Sequence, residues 1–127
     1  MSAIQIDAAA MEHARKRLGE ALNELKRRGA LDDEIMEARP VWIMPFEVVI
    51  GQTRRSAVDS EFLWVSGDML PVDCIDGRLA GTARDAARHF SLRWQIAAES
   101  FAKADAKDLI EKAEYLYSLV DDDEVWL

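Results

Sequence analysis

The sequence predicts an α+β domain. A small antiparallel sheet of two to three strands is packed by a long N-terminal helix and a C-terminal antiparallel helix pair, in the order α-β-β-(β)-α-α. Three observations carry this. Apolar residues recur at steps of three and four near the start and over the last third of the chain. Between them lies a run of β-branched and aromatic residues with period two. The 127 residues, half of them hydrophobic and 31% charged, suit one folded domain with a single tail at each end, 1–6 and an acidic 121–127.

The first helix is expected over residues 8–28. Met11, Ala14, Leu18, Ala21, Leu22 and Leu25 form one stripe. Asp7 is placed to cap it, Lys26, Arg27 and Arg28 suit the negative end of its dipole, and Gly29 is placed as its stop. A short helical turn, capped by Asp32 or Asp33, is expected from Leu31 to Ala38, ending at the Arg39-Pro40 step.

In the run that follows, Trp42, Met44, Phe46, Val48 and Ile50 alternate onto one face. Pro45 cannot donate to a ladder, so either this strand is an edge or a break divides 41–44 from 46–53. A second strand is expected over 61–66, centred on Phe62-Leu63-Trp64-Val65 and forming an antiparallel hairpin with the first. Residues 66–77 read as a loop, with room for a short strand at 72–75. Thr82 caps a long helix over 83–103, whose stripe is Ala83, Ala86, Ala87, Phe90, Trp94, Ala97, Ala98 and Phe101. Asp105 caps a last helix over 106–120, with Leu109, Ala113, Leu116 and Val120 inward. The connection is short enough to make these two helices antiparallel neighbours, and the helices as a group are expected to cover one side of the sheet.

The charge balance limits the function. The chain carries 16 Lys+Arg against 24 Asp+Glu, a net charge of -8. Residues 1–60 hold nine basic and ten acidic side chains, whereas residues 61–127 hold seven and fourteen. Phosphate backbones are gripped by clustered cations, so nucleic acid is a poor partner, and the acidic half suits a protein partner with a basic surface. No run approaches the ~18 apolar residues of a membrane span, and the opening residues lack a signal-peptide pattern, so the chain is expected to be cytoplasmic.

The stretch 66–73, with the thiol beyond it, is the candidate site: Ser66, Asp68, Asp73 and Cys74 lie between a buried strand and a helix. Arg88 and His89 on the next helix are the candidate partners, because an imidazole beside a thiol or carboxylate is the arrangement that activates a nucleophile. Set against this, Ser-Gly-Asp is good turn chemistry, and a histidine next to Phe90 suits a packed helix. One Cys and two His, with His13 among Glu12 and Arg15, make no zinc set, the Asp121–Glu124 run lacks calcium-loop spacing, and no phosphate-cradling glycine motif occurs, so no metal and no cofactor are expected. Trp42, Trp64 and Trp94 lie on apolar stripes. Trp126, after four acids, either anchors the tail or meets a partner.

Several segments together, Arg39-Pro40-Val41-Trp42, Val49-Ile50-Gly51, Trp64-Val65-Ser66-Gly67-Asp68-x-x-Pro71-x-Asp73 and Ala86-x-Arg88-His89-Phe90-Ser91-x-x-Trp94-Gln95, resemble an uncharacterised bacterial family of short acidic proteins. The resemblance spans most of 39–103 and departs from the family pattern in having both Met69 and Leu70 before Pro71. It implies a bacterial one-domain protein, marks Trp64, Ser66, Gly67, Asp68, Pro71, Asp73, Arg88, His89 and Trp94 as shared, and brings no mechanism.

The leading expectation is a non-enzymatic cytoplasmic interaction module, accessory or immunity-like, that docks a partner through acidic surface. The rival is a small enzyme or ligand-binding domain in which Asp68, Asp73, Cys74, Arg88 and His89 converge on one pocket. A third is a homo-oligomer built through the face of the last two helices.

Overall fold

The computed structural model of the chain describes residues 4–31, 37–54 and 61–126. It contains helix α1 (Ala8–Arg27), strands β1 (Glu37–Met44), β2 (Val48–Arg54), β3 (Leu63–Asp68) and β4 (Asp73–Asp76), helices α2 (Ala83–Ala98) and α3 (Lys103–Val120), and two short 3₁₀ turns, Gly77–Leu79 and Asp123–Trp126. The strands form one four-stranded sheet in the order β1-β2-β3-β4, each antiparallel to its neighbour.

Pro45 is the break. The Glu47 N–H donates to Met44 O at 2.9 Å, which closes a tight turn with proline at its second position and Phe46, at φ 63°, at its third. β1 and β2 therefore pair with each other, Met44 opposite Val48. β2 runs through Arg54, and the connection to β3 lies outside the described residues. The helical turn expected over 31–38 falls mostly outside them too, but Glu37 and Ala38 belong to β1. Extended backbone before Pro40 suits the steric restriction that proline places on its predecessor.

Helices pack on both faces of the sheet, not on one. Val48, Ile50, Trp64 and Ile75 join Phe90, Trp94, Ala113 and Leu116 in one core, under α2 and α3. Ile43, Val49 and Val65 join Ala14, Leu18, Ala21 and Leu25 in a second core, under α1. Successive strand residues point to opposite faces, so Val48-Val49-Ile50 and Leu63-Trp64-Val65 serve both cores at once. Continuous apolar runs of this kind mark strands buried on both sides.

α1 keeps its expected signals. Asp7 accepts a hydrogen bond from Ala10 N–H at 2.8 Å. At the other end Gly29 N–H bonds Lys26 O and Ala30 N–H bonds Leu25 O, the paired bonds of a Schellman stop. α1 lies close on the sheet. A Cβ on Gly51 would stand 2.8 Å from Leu18 Cδ2 and 2.9 Å from Arg39 O, and one on Gly67 would stand 3.1 Å from Ala21 Cβ.

Two helix ends differ from the expectation. α2 stops at Ala98, because Glu99, Ser100 and Phe101 turn back on Ile96, Ala97 and Ala98 with i→i−3 bonds, leaving Phe101 exposed. α3 starts at Lys103 with no side-chain cap, and Asp105 stands in its first turn, where a carboxylate is favoured by the helix dipole. The two helices are antiparallel: Arg84, at the start of α2, donates to Val120 O at the end of α3 at 2.9 Å. The tail is clipped to the edge strand. Trp126 stacks on Trp42 with centroids 4.1 Å apart, Trp42 Nε1 donates to Val125 O and Trp126 Nε1 to Leu119 O, both at 2.8 Å.

Gly51→Ala is expected to lower stability by about 1–3 kcal/mol, since one obstacle to the new methyl group is backbone and cannot rotate away. Urea unfolding checks this, and an unchanged midpoint would contradict so close an approach of the Arg39 carbonyl of β1.

Candidate functional site

The hairpin that holds the candidate residues is more ordered than a loop. β3 continues through Ser66, Gly67 and Asp68, and β4 begins at Asp73. Ser66 is fully buried, and its hydroxyl donates to Pro71 O at 2.7 Å, which ties β3 to the turn that follows it.

Asp68 pairs with Val48 at the end of the ladder, but its backbone is left-handed, φ 71°. Its carboxylate is turned to α1. Oδ2 shares a hydrogen bond with His13 Nε2 at 3.0 Å, Oδ1 accepts from Arg17 Nε at 3.2 Å, and its carbonyl accepts from Arg17 Nη2 at 3.0 Å. The carboxylate is only 4% exposed and the histidine 30%. His13 and Arg17 are one helical turn apart beside the buried stripe, so they reach the same strand end together. Across from this pair, the Phe46 ring lies 5.0 Å from the His13 ring.

Asp73 serves the other core. Oδ2 accepts from Trp94 Nε1 at 3.0 Å and faces Arg93 Nε at 3.3 Å, while Oδ1 accepts from Cys74 N–H at 2.8 Å. Cys74, the next residue, packs against the α1 core instead. Burial, with the Asp73 charge adding to it, pushes the Cys74 thiol up from its ordinary pKa. Arg88 is exposed and pairs with Asp85 on its own helix at 2.9 Å. His89 is half-buried, and among the described residues it makes no hydrogen bond or ion pair.

The expected single pocket of Asp68, Asp73, Cys74, Arg88 and His89 is therefore divided. Asp68 faces α1, Asp73 faces α2, Cys74 returns to the α1 side, and Arg88 is held by Asp85. Strand alternation separates Asp73 from Cys74, and the left-handed backbone turns Asp68 to α1, away from Asp73. The partners that matter for Asp68, His13 and Arg17, are not among the residues singled out from the sequence. Their i,i+4 spacing next to Ala14 was the available signal, and it is weak without knowing that α1 crosses the end of β3.

One end of the sheet gathers exposed apolar side chains. Phe46, Met69 and Phe101 are 52%, 55% and 52% exposed. Met69 N–H donates to Glu47 O at 3.0 Å, so the β3–β4 turn lies against the β1–β2 turn. The Glu47 carboxylate accepts from the Tyr115 hydroxyl at 2.9 Å, linking both turns to α3. Beside Met69 opens a groove of about 560 Å³, walled by Met69, Pro71, Phe101 and Leu109 with Asp105 and Asp108 on its rim. Trp126 lies elsewhere, half-buried against Trp42. Among the described residues no three His, Cys, Asp or Glu side chains come together as a metal set, and no helix is long and apolar enough to cross a membrane.

Residues 7–126 match the family described as "Domain of unknown function (DUF4826)", and the chain belongs to that family. No curated protein and no solved structure matches it.

Two outcomes follow from these environments. Cys74 should react with iodoacetamide at neutral pH at least about tenfold more slowly than an unhindered thiol, because it is partly buried and kept protonated; a rate equal to free thiol would contradict this. Burial, then the bond to Glu47, pushes the Tyr115 phenol up to about 12. A pKa raised on folding means that the bond's contribution is complete below the ordinary value near 10 and is lost as pH rises towards about 12. The urea midpoint of the native chain should fall more steeply above pH ~10 than that of Tyr115→Phe. Parallel curves would show that the bond contributes nothing.

Proposed function

We propose that the chain is a cytoplasmic bacterial interaction module, accessory or immunity-like, that docks a basic protein partner through the turn end of its sheet. The observation that carries this reading is Phe46. It sits at a turn position where glycine is the usual residue, with φ 63° and its ring half exposed. The left-handed region costs a bulky residue about 1–2 kcal/mol. An aromatic side chain kept at such a cost, half exposed although its ring touches His13, is better explained by contact with a partner than by stability.

Two further features support it. Met69, whose N–H bonds Glu47 O beside Phe46, shares a groove with Phe101, and Asp105 and Asp108 line that groove with carboxylates. Met69, Phe101, Asp105 and Asp108 belong to the part of the chain that holds the excess negative charge, fourteen acids against seven bases over 61–127. Apolar anchors ringed by one sign of charge favour an oppositely charged protein surface and speed encounter with it. The rival reading, a ligand site at the β3–β4 hairpin with Arg88 and His89, loses support because Asp68, Asp73 and Arg88 answer to separate partners.

Phe46→Gly separates function from stability. The variant should stay within about 1 kcal/mol of the native chain, since glycine accepts the left-handed backbone without strain and this offsets the lost ring contact with His13 and glycine's larger entropy loss on folding. A partner captured from native lysate by the native chain at low salt should no longer be retained by Phe46→Gly, and raising the salt should release it from the native chain. Equal retention by both chains, or no retained partner at any salt, would overturn the reading.

A further inference from the structure

The interaction reading leaves open what the groove beside Met69 recognises, and the inference here rests on that reading. We propose that this groove receives a short segment of the partner in which one large apolar side chain is flanked by Lys or Arg.

The groove is built before any partner arrives. Its floor includes Leu70, which is 4% exposed. Its turn wall is held twice, by Ser66 Oγ donating to Pro71 O and by Met69 N–H donating to Glu47 O. Its helical wall is the first half of α3, which packs against α2. A slot ordered in advance spends little binding free energy on its own ordering. At about 560 Å³ it lies within the size range of clefts that enclose a small ligand or a few side chains.

Its lining specifies the occupant. Met69 and Phe101 present a thioether and an aromatic ring to solvent across the slot, with Leu109 and Pro71 between them. The thioether adapts to ligand shape, and the ring adds area with few rotamers to freeze. This surface asks for an apolar side chain. Asp105 and Asp108 are both exposed at the rim, and among the described residues neither has an ion pair. Lys112, one turn beyond Asp108, also lines the groove and offsets one of those charges, leaving a rim that is net negative at the Asp105 end. A partner whose cation follows its apolar anchor satisfies both features. An acidic or uncharged segment leaves the remaining carboxylate charge without compensation as water is displaced.

Selection of phage-displayed dodecapeptides on the immobilised full chain, followed by anisotropy titration of the synthetic winners, tests this. Winners should carry Lys or Arg within two positions of an aromatic or large aliphatic residue. Asp105→Asn with Asp108→Asn should weaken them at least about tenfold at low salt and less at high salt. Phe101→Ser should weaken them at both salts, with the amide spectrum of each variant confirming the fold. Winners without flanking cations, or winners indifferent to these three changes, overturn the groove proposal. If such winners are lost in Phe46→Gly, the docking reading itself survives. If no peptide is selected while a lysate partner is still captured, the partner does not use a short segment here, and again only this proposal fails. Self-association that disappears in the same variants would make the occupant a second copy and overturn it also.

Discussion

Everything in this fold depends on β2 and β3 being buried on both faces. Each of these central strands pairs on both sides in the sheet, and their side chains supply the floor of two cores. Among the described residues α1 buries its apolar stripe against the sheet, and the α2–α3 pair closes its own core against the opposite face. The constraint explains why α1 lies so near the strands that a Cβ on Gly51 would collide with Leu18 and one on Gly67 would press tightly on Ala21. It also disciplines the polar residues that remain inside. Thr53, Ser66 and Ser91 are buried, and each hydroxyl donates to a carbonyl, of Glu37, Pro71 and Arg88 respectively. An unpaired hydroxyl there would cost about 1–3 kcal/mol.

The segment from Trp64 to Asp73 gains a physical account on the same terms. Trp64 Nε1 donates to Ala80 O, Ser66 ties β3 to the turn that follows it, Gly67 admits Ala21, Asp68 receives α1 through His13 and Arg17, and Asp73 receives α2 through Trp94. This one hairpin binds the first helix on one side and the second on the other. Carboxylates that looked available for chemistry are thus committed to joining layers. Among the exposed apolar side chains are those of the turn end, where Met69 and Phe101 line a groove and Phe46 lies half exposed beside His13.

Much of the architecture is legible in the residues. Asp7 and Gly29 bracket α1 to within a residue of its ends, Thr82 opens α2, and Pro45 divides the apolar run at the turn. The two-sided packing is harder to see. The alternation Trp42, Met44, Val48, Ile50 is real, but it draws attention from Ile43 and Val49, which carry the opposite face. The end of α2 is hidden because Phe101 continues the apolar spacing while the backbone has already turned. The candidate site is less legible still. Which way Asp68 points is decided by a left-handed backbone that no local motif announces, and its contacts with His13 and Arg17 span more than fifty residues of chain. Phe46 reads as one more strand residue until the turn shows it to be out of place.

If the central strands tie both layers together, α1 cannot detach while the rest stays folded. Native-state hydrogen exchange at rising urea measures this directly. The amides of Leu18 to Leu22 in α1, Val49 and Val65 in the sheet, and Ala87 to Phe90 in α2 should converge on one opening free energy with one urea slope, equal to that of global unfolding. Exchange of the α1 amides at a distinctly lower free energy, with Val49 and Val65 still protected, would show two independent layers and contradict the account.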